Sequence, residues 1–385
     1  MSNIFIIAAE NSAENYGAQI IDEFKKKNPE TNFFGVGGEK FIEKGVDLIL
    51  HNREFAIVGL IEVISSILKL KRYMKLIVNE TIKRNTNAVL LIDYPDFNLR
   101  LAKKFKTLNI PVYYYISPTV WAWRYSRVKQ IKKYVDHLFI IFPFEIDIFK
   151  KEKIPFTYTG HPLIPSINVN EKKEIFRKKL NVKDNELIIS LLPGSRKSEV
   201  VSLLPEMLKA VKLIKEKFEI KIFIQKANSI EKNLILDFLK KSKSKYVQII
   251  DQKQGYNLIN ASDIVITTCG TSNLEIAMIG VPFISVYRVN RLSYFLGKRF
   301  VKINLYSIVN ILAQKKIIPE LIQKNFKAKN IVRETLNFLE NEDLRYNTLN
   351  QFKKIKNIIE QDKNPPEIIY NKIHEDLLKL NEKKT

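Results

Sequence analysis

One cysteine, Cys269, stands in 385 residues, which excludes an intrachain disulfide and a cysteine-built zinc site and fits a reducing compartment. The histidines His51, His137, His161 and His374 lie far apart without metal-ligand spacing, so neither a metal nor another cofactor is expected. No run reaches the roughly 18 uninterrupted apolar residues of a membrane span. The opening Met1-Ser-Asn-Ile-Phe-Ile-Ile-Ala-Ala9 lacks a basic region and runs straight into a strand pattern, so no signal peptide is expected. Neither a Gly-x-Gly-x-x-Gly fingerprint nor a Walker lysine is present, which argues against NAD or ATP as ligand. Acidic residues are in deficit, with Lys+Arg 64 against Asp+Glu 41 and a net charge of +23. The lysines are spread along the chain, as at Lys25 to Lys27 and Lys240-Lys241. Such charge fits an anionic partner and a plain solvated surface about equally well.

Hydrophobic residues make up 45% of the chain, ample for two cores, and single cores stop growing near about 250 to 300 residues. Short apolar runs suited to buried parallel strands recur at Ile4 to Ala8, Asn32 to Val36, Ala88 to Asp93, Pro111 to Ile116, His137 to Ile141 and Phe156 to Thr159. Segments of helical spacing separate most of them. After a Lys-rich stretch the pattern restarts at Leu187 to Leu192, Ile220 to Gln225, Tyr246 to Ile250, Ile264 to Thr267 and Pro282 to Tyr287. The expected fold class is α/β, with two doubly wound Rossmann-like domains facing across a cleft. Residues 1–170 form the first, 171–350 the second, and 351–385 a helical tail that packs on the first domain or on a partner protomer. From about Pro319 onward the chain reads as helix.

Both tryptophans fall in Ile116-Ser-Pro-Thr-Val-Trp-Ala-Trp-Arg124, directly after an aromatic strand. The residues alone fit a packed turn and a ligand site equally. In the second domain Leu191-Leu-Pro-Gly-Ser-Arg196 follows a strand and precedes a helix. Gly194 allows close backbone approach, Ser195 can cap the helix, the helix start favours an anion, and Arg196 offers a planar charged fork for a diphosphate. Thr267-Thr-Cys-Gly-Thr-Ser-Asn-Leu-Glu275 repeats the arrangement, with Gly270 and Thr271 at the turn. Glu275 can accept ribose hydroxyls or simply serve the helix dipole. Two such turns favour a nucleotide-sugar.

Acids gather in the first domain. Leu91-Ile-Asp93-Tyr-Pro-Asp96-Phe-Asn98 places two carboxylates at a strand end, and Glu10 and Glu14 follow the first strand. Asp93 suits a general base for a sugar hydroxyl, while Asp96, after Pro95, suits a helix cap. Phe55 to Arg72 and Tyr287 to Phe300 combine apolar or aromatic residues with basic ones. They fit an anionic membrane interface or helices packed on a sheet.

Taken in order, the blocks Glu54-Phe-Ala-Ile-Val-Gly-Leu-Ile-Glu62, Ile92 to Asn98, Ser117 to Arg124, Phe142-Pro-Phe-Glu145, Gly160-His-Pro162, Leu191 to Arg196, Gly270-Thr271 and Leu274-Glu275 resemble the lipid A disaccharide synthase family, inverting glycosyltransferases of the GT-B fold. The similarity is collinear through about Gln323, and the tryptophan block is its most specific part. The resemblance implies transfer of a sugar from UDP-2,3-diacylglucosamine to 2,3-diacylglucosamine 1-phosphate, giving lipid A disaccharide 1-phosphate and UDP. It also implies a cytoplasmic enzyme, peripheral on the anionic cytoplasmic face of the inner membrane, without a metal and compatible with a homodimer; no nucleic-acid module is recognisable.

Within that frame Asp93 is the candidate base, with Asp96 and Glu10 in reserve. Arg196 and the Gly270-Thr271 turn would hold the diphosphate, and Glu275 the ribose. Asn310 corresponds to a family asparagine near the nucleotide. Ser12, Trp121, Trp123, Arg124 and Arg127 fall to the acceptor side, the two arginines toward its phosphate. The clearest departure is Ala9-Glu-Asn-Ser-Ala-Glu14 where the family carries Gly-Glu-x-Ser-Gly-Asp. An Ala13 in the left-handed region would strain the acceptor loop. Two alternatives stay open: another GT-B UDP-sugar enzyme, against which the tryptophan block argues, and, motivated by Ala13, an inactive homologue that binds lipid or UDP.

Overall fold

The computed structural model describes residues 2–55, 63–122, 124–288, 305–359 and 364–382. Two compact units emerge, one of Met1–Pro162 with Ile359–Thr385 and the other of Leu163–Ile358. The first holds a seven-stranded sheet in the order β3-β2-β1-β4-β5-β6-β7. Its strands are β1 (Asn3–Ala8), β2 (Asn32–Gly37), β3 (Asp47–His51), β4 (Ala88–Ile92), β5 (Val112–Tyr115), β6 (His137–Ile140) and β7 (Phe156–Tyr158). All neighbours pair in parallel. Every residue of β4 is buried, as expected where helices cover both faces of a sheet. Val89 and Leu91 join the core on one face, with Phe5, Ile7 and Tyr114. Leu90 and Ile92 join the other, with Ile4, Ile6 and Tyr113. The two-residue alternation of a strand thus feeds two separate cores.

The second face is completed from the far end of the chain. Helix Pro365–Glu382 contributes Ile369, Tyr370, Ile373 and Leu377 to it. Tyr370 meets Phe24 edge to face at 4.8 Å, and Lys27 pairs with Glu367 at 2.6 Å. Proline at the first helical position leaves no N–H unsatisfied there.

The second unit holds β8 (Leu187–Leu192), β9 (Ile220–Lys226), β10 (Val247–Asp251), β11 (Ile264–Thr268), β12 (Phe283–Tyr287) and β13 (Glu320–Ile322) in the order β10-β9-β8-β11-β12-β13. This sheet too is parallel throughout. Both sheets reverse direction between their first and fourth strands, the arrangement of Rossmann-like lobes, and such a reversal opens a crevice at the carboxyl ends of the strands. The register pairs Ala8 with Ile92 and Leu192 with Thr267. The loops that begin at Ala9, Asp93, Pro193 and Cys269 therefore emerge at those crevices.

Two strands escape the sequence pattern. β3 is an edge strand whose residues are half-buried or exposed, with a short apolar run, Leu48-Ile-Leu50, set between Asp47 and His51. β13 is three residues long and corrects the expectation of unbroken helix beyond Pro319, since it pairs with β12 before the helices resume.

Candidate active site

Asp93 follows β4 with φ +50, and Tyr94 follows at φ +47. Two successive left-handed residues that are not glycine hold strain, which persists only where neighbours fix it. Here they do. Asp93 N–H donates to Tyr115 O at 2.9 Å, while its carbonyl accepts from Tyr114 Oη at 2.6 Å and Asn98 Nδ2 at 2.7 Å. The side chain is half-buried. Burial pushes its carboxyl up to about 6, the negative charge of Glu10 adds to the rise, and a hydrogen bond from Tyr94 N–H opposes it.

Glu10 is exposed, immediately before helix Asn11–Lys27, and Ser12 is exposed on its first turn. Ala13 lies inside that helix, buried, and is absent from the residues of positive φ. The strain that a left-handed Ala13 would bring therefore does not arise. Glu14 is buried and structural: Oε1 accepts the N–H groups of Gly38 at 2.9 Å and Lys40 at 2.8 Å, and Oε2 accepts Asn52 Nδ2 at 2.9 Å.

Asp96 does not cap its helix; Tyr94 occupies the cap position and Pro95 the first turn. Its Oδ1 instead receives Arg124 Nη1 at 2.8 Å and the buried Arg127 Nη2 at 2.6 Å. That pairing ties the end of the tryptophan run to the Asp93 loop. Trp121 is half-buried, edge-on to Phe144 at 5.1 Å, and its Nε1 has no hydrogen-bond partner. The rings continue through Phe142, stacked on Phe144 at 5.3 Å, to His161 at 5.2 Å from Phe142, whose imidazole burial drives down to about 3. Trp123 lies outside the described residues, as do 56–62 and 289–304 of the two stretches read as membrane candidates. The helix Val63–Lys83 does expose Leu68 and Leu76. Among the described residues no helix is long and apolar enough to cross a membrane.

In the second unit Gly194 has φ +119, and a Cβ there would lie 2.3 Å from Glu199 Oε2. The reason is that Glu199, one turn into helix Lys197–Lys215, folds back over the turn. Its Oε2 accepts Ser195 N–H at 3.1 Å and Arg196 N–H at 3.3 Å. Ser195 is therefore not the cap; the carboxylate of Glu199 satisfies these donors and stands where a phosphate was expected. Arg196 projects outward with its side chain 67% exposed, suited to an anion arriving from solvent.

Gly270 and Thr271 are exposed at the next turn, and a Cβ on Gly270 would meet nothing within 4 Å. Neither crowding nor positive φ demands glycine there, which leaves room for close approach of a ligand. Asn273 fixes the turn through Nδ2 to Thr268 O at 2.8 Å and Oδ1 from Ser285 Oγ at 2.9 Å. Glu275, half-buried, accepts Tyr256 Oη at 2.9 Å, and burial pushes its carboxyl up. Asn310 is fully buried. Its amide donates to Ile318 O at 3.0 Å and Glu320 Oε1 at 2.9 Å and accepts Ile317 N–H at 2.8 Å and Ile318 N–H at 3.0 Å. It braces the approach to β13 and has no donor left for a nucleotide.

A family model described as Lipid-A-disaccharide synthetase matches residues 4–373. The chain is 34% identical to the lipid-A-disaccharide synthase of Syntrophus aciditrophicus over 343 residues, 89% of either chain. It is also 34% identical over 351 residues to that of Coxiella burnetii, covering 90% of this chain and 91% of the other. Among solved structures, the UDP-GlcNAc 2-epimerase from Neisseria meningitidis bound to UDP-GlcNAc superposes with a TM-score of 0.66 at 12% identity, over 97% of this chain and 100% of that one. The glycosyltransferase from Rickettsia africae gives 0.57 at 14% identity over 98% of each. At such identities the structural likeness establishes the fold alone.

Proposed function

The chain belongs to the lipid-A-disaccharide synthase family, and from that premise we infer that it is an inverting hexosyltransferase of lipid A biosynthesis. It moves the sugar of UDP-2,3-diacylglucosamine to the 6-hydroxyl of 2,3-diacylglucosamine 1-phosphate, releasing UDP. The observation that carries the reading is the family match over residues 4–373, which runs through both units.

Asp93 serves as general base. It takes the proton of the 6-hydroxyl as that oxygen bonds to the anomeric carbon, and the bond from that carbon to the diphosphate breaks with its electron pair leaving on UDP. Attack from the opposite face gives the β-linkage. A carboxyl at about 6 supports this role, being ionised at neutral pH yet more basic than an exposed aspartate. Glu10 raises that basicity through its charge. Arg124 and Arg127, oriented by Asp96, receive the acceptor phosphate, with Ser12, Trp121 and Trp123 along the acceptor. In the second unit the Arg196 side chain and the Gly270-Thr271 turn hold the diphosphate as its charge grows, while Gly194 and Ser195 shape the turn, closed by Glu199, from which Arg196 reaches out. Glu275 takes the ribose hydroxyls and Asn310 acts indirectly by bracing its loop.

The acylated substrates require work at the cytoplasmic face of the inner membrane. The +23 charge and the exposed Leu68 and Leu76 favour such an anionic surface. Incubation of the purified chain with both substrates, followed by mass spectrometry, should yield the disaccharide phosphate. Absence of product with both short and long acyl chains would sink the assignment.

A further inference from the structure

Glu145 is 1% exposed and all of its carboxylate partners are donors within two loops. Oε1 accepts the hydroxyl of Ser117, and Oε2 accepts Phe142 N–H at 3.0 Å and Ile141 N–H at 3.2 Å. No Lys or Arg bonds to it among the described residues. A carboxylate without a cationic partner is expensive to bury, and burial pushes this one up to about 7 despite its hydrogen bonds. A fold that retains such a group against its desolvation needs what the group holds in place.

What it holds is the start of the tryptophan run. Ile116, just before Ser117, has φ +66, a genuine outlier for a β-branched residue. Phe144, the neighbour of Glu145, supports Trp121 edge-on at 5.1 Å. At its other end the run is tied through Arg124 and Arg127 to Asp96. The run therefore spans from the loop after β6 to the loop after β4 that carries Asp93, and it is fastened at both ends.

We propose that Glu145 is a positioning residue: a buried carboxylate clamp that, through Ser117, sets the tryptophan run in the geometry that receives the acylated acceptor. The proposal rests on the reading above that this run faces the acceptor. Glu145 itself touches no reacting atom.

The chain's two tryptophans both lie in the run, so intrinsic fluorescence reports on it directly. Glu145→Ala and Ser117→Ala should red-shift the emission of the ligand-free protein and raise the acceptor KM by about tenfold to 100-fold, as displaced positioning elements do. The donor KM should stay within about twofold, since no donor contact on the UDP side is lost. Glu145→Gln should restore both readouts, because its amide oxygen can accept the two backbone N–H groups while its nitrogen donates to Ser117. Unchanged emission, an emission shift without a change in acceptor KM, or equal losses for donor and acceptor would each overturn the proposal. Where Glu145→Ala fails to fold, Ser117→Ala decides on the same readouts. Acceptor affinity is also read by quenching of the tryptophans without donor. A wild-type chain that binds acceptor but makes no product would thus fail the glycosyltransferase reading while leaving the clamp testable.

Discussion

Asp93→Asn separates the proposed proton-accepting role of Asp93 from its place in the backbone. At φ +50 the position tolerates Asn about as well as Asp, whereas Ala would add strain. The contacts that pin the residue run through its own N–H and carbonyl, so the exchange leaves them intact. Loss of a general base lowers kcat by about 10² to 10⁴, or roughly 3 to 5 kcal/mol of barrier. The wild-type kcat/KM should fall with unit slope below a midpoint near 6, and the variant should lose that limb. Stability moves the other way. The folded state raises this carboxyl from 3.8 to about 6, so it binds the proton more tightly than the unfolded chain. The ionised side chain therefore destabilises the fold as pH rises through that window, by at most roughly 3 kcal/mol. Asp93→Asn should accordingly match the wild type at pH 4 and exceed it in denaturant midpoint at pH 8. Turnover within about threefold of wild type, or an acid limb that persists in the variant, would refute the assignment and pass the role to Glu10.

Arg196→Ala should weaken UDP binding by about tenfold to 100-fold, the worth of one charge-assisted hydrogen bond; calorimetric titration with UDP checks this, and unchanged affinity removes Arg196 from the diphosphate. Gly194→Ala should cost about 1 to 3 kcal/mol, because φ +119 strains any residue that carries a Cβ and that Cβ would meet Glu199 Cβ at 2.7 Å; thermal unfolding should show the loss together with weaker UDP binding. Glu14→Ala should destabilise the first unit by about 2 to 4 kcal/mol by stripping the acceptor from buried donors, with Glu14→Gln losing less in urea titration. In that series UDP affinity should stay at the wild-type level.

The doubly wound order was legible because the strands at the centre of each sheet, such as β1, β4, β8 and β11, are largely apolar, as a parallel sheet covered on both faces requires. β3 and β13 were missed; their apolar runs are only Leu48-Ile-Leu50, set between Asp47 and His51, and Leu321-Ile322 after Glu320. The strand-end positions of Asp93, Arg196 and Gly270 could be read because Pro and Gly punctuate those loops. Their partners could not. That Asp96 serves Arg124 and Arg127, that Glu199 folds back over Gly194, and that Asn310 is consumed within its own loop depend on side chains converging in space. Glu199 hid behind its cap position, where Arg196 stands in place of the Ser or Thr of a recognisable capping box.

Partner counts supply the argument for the base that sequence position does not. Glu14, Asp96 and Glu145 each have a carboxylate oxygen bound by backbone N–H or hydroxyl donors of neighbouring loops or by guanidinium groups. A carboxylate so engaged must break those bonds before it can accept a proton, and buried ones leave donors unsatisfied when it does. Asp93 is different: the one hydrogen bond acting on its carboxyl comes from Tyr94 N–H, and both burial and the charge of Glu10 favour its protonated form. Its backbone takes the pinning contacts, so its carboxyl is held in position without being neutralised by partners. A general base needs that combination, a fixed location and an unfilled proton site. Among the described acids at the carboxyl edge of the first sheet, Asp93 meets both conditions, with Glu10 tuning it through space.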